Sequence, residues 1–130
     1  MSKVPDDLRY TRDHEWAKSD GAKVRIGITD FAQSELTDIV YVELPKVGAA
    51  LAKGKTFGVV ESVKSTSELF APISGKVAEV NATLAKTPEI VNKDPYVAGW
   101  MIVVEPSDKK EFDSLLTPEQ YREQIEKGGH

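Results

Sequence analysis

The residues best placed to do chemistry stand in one short window, Glu61-Ser62-Val63-Lys64-Ser65. Lys64 offers a primary amine, which can be acylated by an activated carboxyl group. Glu61, three residues ahead, is a fixed carboxylate beside that amine and a mark that a modifying enzyme can read. Two apolar arms enclose the window: Phe57, Val59 and Val60 on one side, Leu69 and Phe70 on the other. Their aromatic and β-branched side chains favour half-buried strands, whereas Glu61 to Glu68 is polar apart from Val63. The pattern is a hairpin whose turn holds Lys64 in solvent. An amine on a protruding turn can enter another enzyme's site without unfolding its own domain. Most lysines are merely solvated; the arms and the tip, not the residue type, single this one out.

The rest of the chain is poor in catalytic groups. His14 and His130 are its two histidines, cysteine is absent, and no Gly-rich phosphate loop or metal-ligand spacing occurs. The chain is therefore expected not to be an enzyme, and any redox sulfur must be borrowed. Without cysteine there is no disulfide, which suits a reducing compartment. Asp6-Asp7 and Glu119 with Glu123 read as solvated charges, His14 as a packed or hydrogen-bonded residue, and His130 as a frayed end. A formal charge of -4 argues against nucleic acid, which draws on clustered Lys and Arg, and favours basic patches on protein partners.

The elements that must position Lys64 read as mainly β. Val24, Ile26 and Ile28 alternate with Arg25, Gly27 and Thr29, a strand with one wet face. Asp30 is expected to cap a short helix through Leu36, with Gln33 completing the box. Strands follow at Ile39 to Leu44, Thr56 to Ser62, Ser67 to Phe70, Lys76 to Val80 and Trp100 to Glu105. Short strands separated by turns imply a barrel or sandwich. Ser107 or Asp108 caps a segment with Phe112, Leu115 and Leu116 at helical spacing. Thr117-Pro118-Glu119-Gln120 is a capping box with proline at its first helical position, opening a helix that bears Tyr121 and Ile125 and stops at Gly128-Gly129. With 40% hydrophobic and 29% charged residues, 130 residues suit one core and one domain spanning 1–130. That domain divides into a body of about 8–106 and C-terminal helices of about 107–127. The start has no apolar segment of signal-peptide type, and Trp100 to Val104 is too short to span a bilayer, so a cytoplasmic bacterial protein is expected. Asn81-Ala82-Thr83 is a chance sequon in that setting.

Glu61 to Ser65 within Phe57-Gly58-Val59-Val60 resembles the lipoyl-attachment motif of glycine cleavage system H proteins. His14-Glu15-Trp16, Gly27 to Gln33, Asp38 to Pro45, Val47-Gly48, Pro72-Ile73-Ser74-Gly75, Val80-Asn81, Val91 to Tyr96 and Gly99-Trp100 fall in that family's order. The likeness covers about residues 8 to 126. Phe31, where tyrosine is common, and Ser65-Thr66-Ser67, where alanine often follows the lysine, depart from it without touching Lys64 or Glu61.

The resemblance implies a barrel-sandwich hybrid of lipoyl/biotinyl type, with lipoic acid joined to Lys64 through an amide. It implies a carrier that takes an aminomethyl group from a pyridoxal-phosphate glycine decarboxylase to a folate-dependent aminomethyltransferase and is then reoxidised by dihydrolipoyl dehydrogenase. A lipoate ligase or transferase would load it, reading Glu61, Ser62, Val63 and Ser65, and a monomer is expected of a carrier with several partners. Glu15 would line a groove sheltering the cationic aminomethyl amine, with Trp16 packed in the core. It also implies two similar halves, which an echo between Ala50-Leu51-Ala52-Lys53 and Thr83-Leu84-Ala85-Lys86 would record. A lipoyl or biotinyl domain of a larger enzyme is disfavoured by Val63-Lys64-Ser65 and the C-terminal helices. A lipoyl donor outside glycine catabolism and an unmodified interaction module in which Lys64 is only solvated stay open.

Overall fold

Alternating apolar residues drive the chain into short strands. In the computed structural model, which describes residues 2–128, these are β1 (Arg9–Tyr10), β2 (Glu15–Asp20), β3 (Lys23–Ile28), β4 (Ile39–Glu43), β5 (Ala50–Leu51), β6 (Thr56–Ser62), β7 (Thr66–Phe70), β8 (Gly75–Val80) and β9 (Ile102–Pro106). Short helices punctuate them: α1 (Asp30–Leu36), α2 (Thr83–Lys86), α3 (Ile90–Lys93), α4 (Lys109–Asp113) and α5 (Pro118–Glu126). All ladders are antiparallel. One sheet runs β1-β2-β3-β9-β8-β5 and the other β4-β6-β7. Neither closes on itself, and the mainly β arrangement with a few short helices is the barrel-sandwich hybrid expected.

The two sheets share the main core. Ile26, Ile102 and Val104 from the larger sheet meet Ile39, Val42, Val60 and Leu69 from the smaller one, each buried side chain of this kind contributing roughly 1.5–3 kcal/mol. Gly58 permits the β4–β6 approach, because a Cβ there would lie 2.4 Å from the Glu43 carbonyl oxygen. The Lys64 hairpin, β6 and β7, is thus anchored by its own inward residues.

A second, aromatic cluster of Leu8, Tyr10, Trp16 and Tyr121 fastens α5 to the start of the chain. Tyr10 and Tyr121 stack with centroids 4.6 Å apart. Trp16 lies over Gly27, its partner across β2 and β3, so closely that a Cβ on Gly27 would sit 2.7 Å from the ring. The indole Nε1 donates to the Pro95 carbonyl at 3.0 Å, which makes Trp16 a core residue, as expected.

This second cluster corrects the reading of β3. Gly27 and Thr29 are buried, and Arg25 is half-buried with its guanidinium 5.3 Å from the Trp100 ring centroid, so that face is not wet. Strand alternation shows that two faces differ but not that a distant aromatic covers the second. The cap of α1 is Thr29, whose side chain accepts from the Ala32 amide; Asp30 is the first helical residue and instead accepts from the Gln33 side chain. Asp108 caps α4, and the Thr117 box with Pro118 at N1 opens α5 as expected. Leu115 and Leu116 lie beyond α4, Leu116 bridging to Tyr10. The echo is not a structural repeat, since Ala50–Leu51 is a strand whereas Thr83–Lys86 is a helical turn. β1, β2, β5, α2 and α3 are too short or too mixed in pattern to stand out in the sequence. His130 and Gly129 lie outside the described residues.

Candidate functional site

β6 and β7 pair as far as Glu61 and Thr66, leaving a turn through Ser62, Val63, Lys64 and Ser65. Two-residue hairpin loops usually take turns with positive φ, which β-branched valine and long-chained lysine resist. Neither Val63 nor Lys64 has positive φ. The Ser62 hydroxyl makes this possible by accepting from the amides of Lys64 at 3.2 Å and Ser65 at 3.0 Å and donating to the Ser65 carbonyl at 3.1 Å. The Ser62 amide closes the turn onto the Ser65 carbonyl at 2.8 Å. Lys64 is exposed, with Nζ donating to the Glu35 carbonyl at 3.3 Å near the C-terminal end of α1, where carbonyls lack helical partners. The Val63 amide donates to the Asp38 carbonyl at 3.0 Å, tying the tip to the start of β4.

The flanking residues gather around Lys64. Glu61 is exposed on the outer face of the smaller sheet, paired across the strands with Tyr41 and Thr66, and Val63 projects into solvent. Such an arrangement presents one amine, one carboxylate and one apolar side chain on a ridge that a partner can enclose.

Glu15 is elsewhere. It is only 2% exposed. Its Oε1 accepts from the Thr11 hydroxyl at 2.7 Å and its Oε2 from the Phe70 amide at 3.4 Å. Burial pushes its carboxyl up to about 8, against the lowering influence of those two donors, and nearby Asp13 adds a smaller rise. The carboxyl borders a cleft of about 260 Å³ also lined by Thr11, Asp13, Lys53, Phe70 and Ser114. Phe70 ends β7 at the opposite end from the tip, about 13 Å along the strand from Thr66. The structure therefore separates Glu15 from Lys64, and only a long flexible arm could join them.

Local chemistry aims Glu15 inward. Thr11 Oγ1 accepts from the amides of Asp13 at 3.2 Å and Glu15 at 3.1 Å, folding the loop before β2. His14 sits at φ 70°, a left-handed conformation held by tertiary contacts. Its Nδ1 lies 2.7 Å from the Tyr121 hydroxyl, and its ring packs 4.7 Å from that of Phe31. His14 is a packed, hydrogen-bonded residue as the sequence reading has it. Residue type alone does not mark Thr11 and Ser62 for these roles; Thr11-x-Asp13 and Ser62-x-x-Ser65, hydroxyls just ahead of turn amides, are the signals that point to them.

Comparison with known proteins gives the family. A family model described as glycine cleavage H-protein matches residues 8–128. The chain belongs to the glycine cleavage H-protein family. An H protein from Geobacillus sp. (strain WCH70) is 62% identical over 125 residues, covering 96% of this chain and 98% of the relative. One from Anaeromyxobacter sp. (strain K) is 58% identical over 123 residues, covering 95% and 96%. The crystal structure of a glycine cleavage system H protein from Mycobacterium marinum superposes with a TM-score of 0.88 at 40% identity, covering 95% of this chain and 99% of that one. The H-protein match takes in the Lys64 hairpin, the Glu15 cleft and the α5 clamp alike. Among the described residues, no helix is long and apolar enough to cross a membrane.

Proposed function

We propose that this H-protein family member is a non-catalytic carrier of lipoic acid, bound as an amide on Lys64 of a single domain over residues 1–130. The observation that carries the reading is the exposed Lys64 amine on a turn whose loop amides are tied down by Ser62. In the loading step, Lys64 Nζ leaves the Glu35 carbonyl, gives up a proton to water or the loading enzyme, and attacks the carbonyl carbon of lipoate activated as its adenylate. The new C–N bond replaces the C–O bond to AMP, which leaves, and the nitrogen sheds a second proton to water or the loading enzyme as the neutral amide forms. Glu61 and exposed Val63 are the groups beside the amine that a ligase or transferase reads.

The bound arm supplies the sulfur chemistry that accepts and releases an aminomethyl group. Its charge after loading makes the cleft informative. A buried carboxyl pushed up to about 8 is largely neutral near pH 7, and an ammonium arriving beside it favours the charged form. Glu15 would release a proton as the amine docks, and Thr11 and the Phe70 amide would hold the resulting carboxylate in place. Burial in the cleft keeps water from that amine. Glycine decarboxylase, aminomethyltransferase and dihydrolipoyl dehydrogenase are the partners this role requires, met in turn by a cytoplasmic carrier.

Intact mass and peptide fragmentation of the protein from lipoate-replete cells test the reading. One lipoyl amide, on Lys64, supports it; an unmodified chain overturns it.

A further inference from the structure

The junction between α1 and β4 carries backbone strain beside the Lys64 tip. Thr37 adopts φ 63° and ψ -147°, a region that glycine enters freely and that a β-branched residue avoids. Its own amide finishes α1 by donating to the Gln33 carbonyl at 2.9 Å and its hydroxyl donates to the Leu36 carbonyl at 2.5 Å, contacts with the preceding turn that leave its own carbonyl to be held from outside.

Asn92 of α3 does the holding. Its Nδ2 donates to the Thr37 carbonyl at 2.8 Å and to Gln33 Oε1 at 3.0 Å, while its Oδ1 accepts from the Ile39 amide at 2.9 Å. The carboxamide thus grips residue 37 by its carbonyl and residue 39 by its N–H, as a neighbouring strand would. Both N–H donors are used, and the partners fix which end is oxygen. Asp38, caught between, is the residue whose carbonyl accepts from the Val63 amide. Ile39 faces Ser62 across β4 and β6. Glu35, two residues before Thr37, accepts from Lys64 Nζ. These contacts of the tip with the α1–β4 stretch all fall on residues 35–39, which Asn92 clamps near their centre.

We propose that Asn92 is a positioning residue for the modification of Lys64: it latches strained Thr37 so that the Asp38 carbonyl stays aimed at the Val63 amide and the tip keeps one orientation. The consequence for modification rests on the carrier reading above; the latch itself does not. Without the carboxamide, Thr37 relaxes out of positive φ, the Asp38 carbonyl swings away and the Val63 N–H opens to water. Lys64 then samples many orientations, and an enzyme that must place its amine against an activated carboxyl loses the benefit of a preorganised substrate.

The test uses the full-length unmodified chain as wild type, Asn92→Ala, Asn92→Asp and the double variant Thr37→Gly/Asn92→Ala. Amide hydrogen exchange is read at Val63 and, as a reference, across the six-stranded sheet. Lipoylation is read as kcat/KM of a lipoate ligase supplied with ATP and lipoate. Asn92→Ala should speed exchange at Val63 by about tenfold or more with the reference amides unchanged, and lower kcat/KM by about tenfold. Asn92→Asp, which keeps the acceptor and lacks both donors, should follow it. Thr37→Gly/Asn92→Ala should recover much of both, because glycine holds φ 63° without a latch. Unchanged Val63 exchange in Asn92→Ala overturns the proposal. Equal impairment of the single and double variants, or failure of both to fold, overturns it too and makes Asn92 a packing residue. A wild-type chain that the ligase leaves unmodified defeats the carrier reading alone, and Val63 exchange still decides the latch.

Discussion

The Lys64 tip and the Glu15 cleft stand at opposite ends of β7, and their physics is opposite. At the tip the turn is capped locally and stays wet: Ser62, three residues or fewer away, holds the loop amides, and the exposed side chain of Lys64 reaches only the Glu35 carbonyl at the surface. At the cleft a carboxyl is taken out of water, and donors from a loop and from a distant strand edge hold it. A group destined for covalent change can be altered at the tip with little effect on the core. On the carrier reading proposed above, a carboxyl that meets a cationic amine interacts with it more strongly for being desolvated beforehand.

The largest expected difference between the two regions is all-or-none. Lys64→Arg should abolish the proposed acylation while leaving unfolding free energy within about 0.5 kcal/mol of wild type, as for surface changes; a lipoyl increment on the variant's intact mass would place the acceptor elsewhere. Beside the cleft the balance reverses. Trp16→Ala should cost roughly 3–5 kcal/mol in denaturant unfolding, since it empties the site over Gly27 and strands the Pro95 carbonyl. A loss under 1 kcal/mol would mean that the aromatic cluster does not clamp the chain ends.

Glu15 sharpens the contrast through pH. Its carboxyl ionises at about 8 in the fold against 4.5 when unfolded. The folded chain therefore keeps a proton that the unfolded chain gives up. The carboxyl imposes no cost below pH 4.5; stability is lost as pH rises from there through 8, and the loss levels off above. Glu15→Gln lacks this dependence, so its stability relative to wild type should improve between pH 5 and pH 9 by up to roughly 4 kcal/mol. Parallel urea curves at the two pH values would instead put the carboxyl in water. The smallest effect belongs to the tip: Ser62→Ala should cost about 0.5–1.5 kcal/mol and raise hydrogen exchange at Ser65, and unaltered exchange there would show that the turn does not lean on the hydroxyl.

Legibility in the sequence followed the range of the interactions. The hairpin arms, the polar tip and the Thr117 capping box are defined by residues within a few positions of each other, and the structure places them where periodicity and capping rules put them. β1 and β5, two residues each, are below the length at which alternation can be recognised. Thr29 outcompetes Asp30 as the cap of α1 although both are good caps, because its hydroxyl also meets the Tyr121 hydroxyl at 2.7 Å, a contact across most of the chain. The resemblance makes Glu15 a groove carboxylate; that it is buried, and far from Lys64, depends on packing.

Taken alone, the sequence determined that the segments of β3, β4, β6, β7, β8 and β9 are extended, where α5 starts, and that one lysine stands on a polar tip between apolar arms. These are consequences of side-chain alternation, caps and turn residues, which act between near neighbours whatever the rest of the chain does. Tertiary structure alone decided that the second face of β3 is covered, that His14 and Thr37 are held at positive φ, and that Asn92 meets Ile39 from 53 residues away. Such contacts form only after loops have closed and both sheets have packed. Strain at a single residue persists only where that finished packing holds it.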